Sequence, residues 1–300
     1  MLISDQPQGR KVLIHDILKV EEDLPVFLAE ESLADLITLP VTSEVLDSGI
    51  EFGESIEVWS GSLLGVALRL SQPADIWLIL TDHYSRSNIL QDLAGGLDPV
   101  QVRTTDDRYK EALVEYFSIS LKEELFCEDC PVVSPPLYVS ERIDRLEEFL
   151  GPILPGGEMI EVCCGSGMAT QSLHRLGYDP WTEDADSCEI CQALKSGYLN
   201  PKRSMVLDAR LLDRFFPPRS FEVVVGFMVG LIDDVNWHIW KDVVLRSSGL
   251  AGKMVLYTMY TEKEARRVAD VLELAGWDGE IIDNCDRLGI YDQWAYLATR

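Results

Sequence analysis

From residue 158 onward, short apolar runs alternate with amphipathic stretches in a regular order. The runs "EMIEVCC" (158–164), "PWTED" (180–184), "RSMVLD" (203–208), "FEVVVGFMV" (221–229) and "KMVLYTM" (253–259) have the length and apolar content of buried strands. Between them, "MATQSLHRLG" (168–177), "DSCEICQALKSG" (186–197), "DDVNWHIWKDVVLRS" (233–247) and "TEKEARRVADVLELAG" (261–276) space their apolar residues as helices do. Three of these four close on glycine or just before one, where a left-handed residue commonly ends a helix. The chain finishes with "DGEIID" and "GIYDQWAYLAT", two strands joined by a polar turn. This alternation predicts an α/β domain with a mostly parallel sheet covered by helices on both faces. Ligands of such sheets lie at the carboxyl ends of the strands, beside the topological switch point.

The pattern before residue 130 is different. "LPVFLAEESLADLITL" has apolar residues at helical spacing, "LLGVALRL" and "DIWLIL" read as strands, and "TTDDRYKEALVEYFSISLKEELF" reads as a helix. A proline-rich break, "FCEDCPVVSPPLYVS", follows, and such breaks mark interdomain joints. The expected organisation is therefore a smaller N-terminal α+β domain over 1–130 and an α/β domain over 131–300. His15 and His83 each lie beside an aspartate, and both read as ordinary surface or core histidines.

Composition narrows the partners. With 51 acidic against 26 basic residues, the formal net charge is −25. Nucleic-acid binding is driven largely by phosphate neutralisation, so this balance argues against DNA or RNA as the main partner. No apolar run reaches the roughly 20 residues of a membrane span, and the start lacks the pattern of a secretory signal, so a cytoplasmic location is expected. Seven cysteines, an odd number in a long chain, favour free thiols over a disulfide framework.

Chemistry enters at "MIEVCCGSGMATQ". A strand running directly into Gly165-Ser166-Gly167 lets backbone approach a ligand, because neither glycine carries a Cβ. The helix opening near Met168 turns its N–H groups toward that ligand. Asp184 follows Gly165 by nineteen positions, at the end of the second strand, where a carboxylate can accept from two ribose hydroxyls. Together these features imply a bound nucleoside, and geometry alone leaves its identity open. A nicotinamide fold prefers a third small residue at position 170 for close approach to a pyrophosphate, and Thr170 stands there.

The same residues resemble the first motif of class I S-adenosylmethionine-dependent methyltransferases, in which an acid two residues from the strand end precedes a Gly-x-Gly turn. Asp184 matches that family's ribose-binding acid, Asp208 in "MVLDAR" its adenine-side acid, "SFEVVVGFMV" its fourth strand, and the last two strands its closing hairpin. The resemblance spans about 135–300. It implies a Rossmann-like, seven-stranded sheet with the last strand antiparallel, S-adenosylmethionine as cofactor, and a cofactor site built from Glu161, Cys163, Gly165, Gly167, Asp184, Ala185, Asp208, Ala209 and Gly226. Cys163 departs from the pattern, standing where the family normally has its first glycine.

By the same resemblance the acceptor meets the cofactor near "GFMVGLIDDVNWHIWKD", which lacks the Asn/Asp-Pro-Pro-Tyr/Phe signature of base and amide methylation. The chain also has no Pro-Cys nucleophile. His238, Asp233 and Tyr257 are the catalytic candidates, His238 because its ordinary pKa is near neutral. Tyr260 is a comparable one. The expected acceptor is a small molecule or a protein side chain. Two other readings remain: a non-catalytic protein with a vestigial pocket, and a nicotinamide-dependent oxidoreductase, which Thr170 and Glu161 oppose. Cys127-x-x-Cys130 and Cys188-x-x-Cys191 have metal-ligand spacing, but ordinary thiols are the expected reading, because "SCEICQAL" opens a helix and neither pair carries knuckle glycines. The oligomeric state is not encoded in any of these signals.

Overall fold

In the computed structural model the described residues are 12–48, 50, 52–70, 75–94, 98–123, 140–287 and 289–300. They divide into two compact units, Met1–Ser120 and Leu121–Arg300. The expected domain boundary near residue 130 lies outside the described residues.

The first unit is built on a five-stranded sheet. Its elements are α1 (Leu13–Leu18), β1 (Val26–Leu28), α2 (Asp35–Thr38), α3 (Pro40–Asp47), β2 (Ser55–Ser60), β3 (Ser62–Leu70), β4 (Ile76–Leu80), α4 (Ile89–Ala94), β5 (Val100–Arg103) and α5, which runs Asp106–Lys122. The strand order is β1-β4-β3-β2-β5. β2, β3 and β4 form an antiparallel meander, and β1 and β5 add in parallel at its two edges. The helix expected over 24–39 is a strand at its start, because Val26, Phe27 and Leu28 pair with Trp77, Leu78 and Ile79. That pairing buries Val26 and Leu28 and overrides their helical spacing.

The second unit contains α6 (Ser140–Leu150), β6 (Met159–Val162), α7 (Thr170–Arg175), β7 (Trp181–Asp184), α8 (Ser187–Lys195), β8 (Ser204–Val206), β9 (Phe221–Phe227), α9 (Trp237–Ser248), β10 (Ala251–Met259), α10 (Glu262–Leu274), β11 (Asp278–Asp283) and β12 (Trp294–Thr299), with a 3-10 helix at Ala209–Arg214. Seven strands lie in the order β11-β12-β10-β9-β6-β7-β8. All neighbours pair in parallel except β12, which runs antiparallel to both β10 and β11. This is the α/β sheet with an antiparallel last strand that the resemblance implied.

The reason lies in the side chains. Val223, Val224 and Val225 of β9 and Ile160 of β6 are wholly buried, as strands covered on both faces must be. On one face Val223 and Val225 pack with Leu146 and Leu150 of α6, Leu173 of α7 and Leu256 of β10. α10 is started by a capping box, Thr261 with Glu264, and lays Ala265, Val268 and Leu272 against the sheet. The chain leaves β6 toward β7 on one side and returns to β9 on the other. The carboxyl ends of β6 and β9 therefore flank the switch point.

Candidate functional site

A cavity of about 540 Å³ opens there. Its floor is the turn after β6. Cys163, Gly165 and Gly167 all have left-handed backbone, with φ of 55°, 53° and 75°. Gly165 donates its N–H to Asp184 Oδ2 at 2.8 Å, and Gly167 donates to the Cys164 carbonyl at 3.1 Å. Asp184 Oδ1 accepts from the Asp186 N–H at 2.8 Å, so one carboxylate ties the turn after β6 to the turn after β7. Burial raises the Asp184 pKa against those backbone hydrogen bonds.

Six of the expected cofactor residues line this cavity together: Cys163, Gly165, Asp184, Ala185, Asp208 and Ala209. Three do not. A Cβ on Gly167 would meet Leu199 Cδ2 at 3.1 Å, and one on Gly226 would meet Val229 Cγ1 at 2.6 Å and Tyr257 Cδ1 at 2.9 Å. These two glycines serve packing. Glu161 is wholly buried, and neither of its carboxylate oxygens has a hydrogen-bond partner. The Thr170 hydroxyl is orphaned too. Burial pushes the Glu161 carboxyl up to about 8, with the Arg142 guanidinium pulling it back down. A buried carboxyl without partners is costly, and native proteins keep such groups where a ligand or water meets them.

The lining is acidic. Glu183, Asp184, Asp186, Glu189 and Asp208 face Arg142 and Arg210. Both guanidiniums are paired with an aspartate, Arg142 through two of its three nitrogens. Arg210 Nε binds Asp208 at 2.9 and 3.0 Å, and that arginine holds the Asp208 carboxyl below its usual range. Arg142 forms a buried fork with Asp292, Nε to Oδ2 at 2.7 Å and Nη2 to Oδ1 at 3.2 Å. Among the described residues its Nη1 faces the Met168 thioether, at 3.6 Å, and its guanidinium carbon lies 4.9 Å from the Tyr291 ring centre. Asp292 also accepts from the Thr258 hydroxyl at 2.6 Å, and its N–H donates to Met228 Sδ at 3.0 Å. Met228 and Asp292 both have left-handed backbone, φ 54° and 55°. This network pins the loop after β9 to the start of β12.

The other wall is apolar and aromatic: Phe227, Val229, Ile239, Trp240, Val243 and Tyr260. The three expected catalytic residues stand away from it. His238 is exposed on α9, which turns the following Ile239 and Trp240 to the cavity instead. Asp233 is exposed and caps the turn before α9, its Oδ1 accepting from Val235 and Asn236 N–H at 2.8 and 3.0 Å. Tyr257 is fully buried, its hydroxyl 2.7 Å from Ser247 Oγ, and burial raises its pKa. Of the cysteine pairs, Cys127 and Cys130 lie outside the described residues. Cys188 is half-buried and Cys191 buried, both on α8. Among the described residues no group of three or more His, Cys, Asp or Glu could hold a metal ion.

Sequence reasoning missed Arg142, Glu183, Trp240, Tyr291 and Asp292. One signal was available for Arg142: on α6 it flanks the apolar stripe Ile143, Leu146 and Leu150, immediately before the first strand.

The left-handed Cys163 explains why glycine suits this position. Replacing Cys163 by glycine is expected to raise stability by up to about 1.5 kcal/mol, relieving the ~1–2 kcal/mol of an L-residue in this conformation less the ~0.5–1 kcal/mol of glycine's extra chain freedom. Cys163→Val is expected to destabilise, since β-branched residues tolerate positive φ worst. Urea-denaturation midpoints of the two variants compared with the parent test both signs.

No family model matches the chain, and no curated protein matches it. Solved structures do. The magnesium protoporphyrin IX methyltransferase of Synechocystis PCC 6803, with S-adenosylmethionine bound, is 14% identical with a TM-score of 0.41, over 66% of this chain and 98% of that one. A putative S-adenosylmethionine-dependent methyltransferase of Methanococcus maripaludis is 13% identical with a TM-score of 0.43, over 62% and 93%. A ribosomal protein L11 methylase of Lactobacillus delbrueckii subsp. bulgaricus is 14% identical with a TM-score of 0.41, over 58% and 90%.

Proposed function

We propose that the second unit binds S-adenosylmethionine at the switch-point cavity and transfers its methyl group to a small-molecule or protein acceptor. The observation that carries this reading is the acidic lining of the switch-point cavity. Five acidic residues line it, of which Glu183 is held toward its protonated form by burial, and its two arginines are both paired with aspartates. A sulfonium nucleoside is a cation and suits that surface. A dinucleotide would bring a doubly charged pyrophosphate to a lining in which five acidic residues outnumber two arginines, each already paired with an aspartate, beside Thr170 where close approach needs a smaller side chain.

The residues divide the work by position. Asp184 accepts from the ribose hydroxyls while holding the Gly165 turn, and Asp208 with Ala209 frames the adenine. Arg142, with Nη1 still available, receives the ligand's carboxylate, and Asp292 fixes its orientation. Glu161 answers the ligand's positive charge. When bound, the cofactor supplies an activated methyl carbon. The protein aligns the acceptor against it and keeps water out, tasks for Phe227, Trp240, Tyr260 and Tyr291.

Calorimetric titration with S-adenosylmethionine, S-adenosylhomocysteine and NAD tests the reading. The first two are expected to bind and NAD is not. Asp184→Ala is expected to weaken the nucleosides about 10- to 100-fold, the worth of a charge-assisted hydrogen bond of ~1.5–3 kcal/mol. NAD binding alone would overturn the assignment. Loss of the methyl group from bound S-adenosylmethionine in the presence of an acceptor then separates an enzyme from a binding protein.

A further inference from the structure

The first unit holds a second depression, of about 460 Å³, lined by Trp59, Ser60, Gly61, Gln101, Arg103 and Thr104. Strand pairing assembles its polar wall. β2 and β5 run parallel with Glu57 opposite Gln101 and Trp59 opposite Arg103. Paired residues and residues two apart share a face, so these four side chains lie together. Ile56, Val58 and Val102 alternate with them and are buried on the other face.

The wall is preorganised. Glu57, itself only 3% exposed, accepts at one oxygen from both Trp59 Nε1 and Gln101 Nε2, each at 2.9 Å. This fixes the indole and the amide. Arg103 is exposed and has no ion-pair partner among the described residues, in a chain where acids outnumber bases 51 to 26. The Thr104 N–H donates to the Trp59 carbonyl at 3.0 Å, and the Thr104 hydroxyl is buried with no hydrogen-bond partner.

We propose that this depression binds a planar carboxylate, an aromatic acid above all. A guanidinium presents a planar fork that matches a carboxylate, and the Trp59 face beside it offers a stacking surface for the attached ring. The depression has the volume of small-ligand pockets, ~300–1,000 Å³. A single arginine next to the Glu57 carboxylate suits a monoanion and disfavours a doubly charged phosphate. This site is independent of the function assigned to the second unit.

Ligand-observed NMR and calorimetry on the full chain, with benzoate as probe, test it. Benzoate is expected to bind in the millimolar range or tighter, with benzamide, cyclohexanecarboxylate and inorganic phosphate each at least ~10-fold weaker, a difference of about 1.4 kcal/mol. Arg103→Gln and Trp59→Leu are each expected to lose at least ~10-fold in benzoate affinity, while Trp59→Phe keeps most of it. Unchanged circular dichroism and thermal unfolding separate these losses from misfolding. Three results would each overturn the site: no benzoate binding at about 20 mM, benzoate affinity unmoved in both loss variants, or phosphate binding as tightly as benzoate.

Discussion

Asp292→Ala is expected to destabilise the second unit by about 3–5 kcal/mol, the cost of leaving a buried arginine without its counter-ion. The Arg142 side chain is 9% exposed and that of Asp292 is 0% exposed. Removing the carboxylate strands the guanidinium and also the Thr258 hydroxyl, which donates to it. The midpoint of thermal unfolding should fall by roughly 6–20 °C, at ~2–4 °C per kcal/mol for a unit of this size. Replacing both partners, Arg142→Met with Asp292→Ala, should recover much of that loss, because an apolar pair needs no counter-charge. The double variant should nevertheless bind S-adenosylmethionine poorly, since the proposed carboxylate contact is gone. Calorimetric unfolding of the three proteins decides it: a single-variant loss below ~1 kcal/mol would place the pair in water.

Glu161 gives the second large effect, and its sign is fixed by the direction of its shift. The folded-state pKa is raised from 4.5 to about 8. Below 4.5 both folded and unfolded chains hold the proton, and the full stability is present. Between 4.5 and 8 the unfolded chain releases the proton while the folded one keeps it, so stability falls as pH rises through that window. At ~1.4 kcal/mol per pKa unit the loss reaches several kcal/mol by the alkaline end. Glu161→Gln should remove this group's share of the profile, leaving the variant more stable than the parent above about pH 8, while buried Glu183, raised in the same direction, keeps its own. Binding has the opposite slope. A cationic ligand favours the charged carboxylate, so affinity for S-adenosylmethionine should rise toward pH 8 with release of a proton, and Glu161→Gln should abolish both. Titration in buffers of different ionisation enthalpy counts that proton. No release between about pH 6 and 7 would show that Glu161 does not sense the ligand.

The sequence made the second unit's sheet readable because its signals are local. Each strand is one apolar run, and the turn, Asp184 and Asp208 stand at short spacings from strand ends. The wall of the cavity was not readable in the same way. Arg142 and Asp292 are 150 positions apart and meet only because β12 runs beside β10. Nothing in either local sequence pairs them. His238 and Asp233 drew attention for their chemistry, but which side chain of a helix faces a cavity depends on its rotation about its axis. α9 turned Ile239, Trp240 and Val243 inward, and one residue's step left His238 outside. In the first unit, three residues of β1 carried a helix-like spacing that pairing with β4 overruled, since two buried ladder positions outweigh a weak local preference.

The direction of β12 has a consequence for how such a protein can change. The five parallel strands of the first run reach the cavity with their last residues, so a longer or shorter loop there must still deliver a helix to the sheet. β12 alone enters the sheet from the ligand side, and Tyr291 and Asp292 stand just ahead of its first residue. The connection from β11 to β12 is a simple antiparallel return that owes nothing to a following helix. Its length and side chains can therefore be exchanged with the sheet left intact, provided Asp292 keeps Arg142. Of the segments around the cavity, this is the one where selection could most cheaply retune what is admitted.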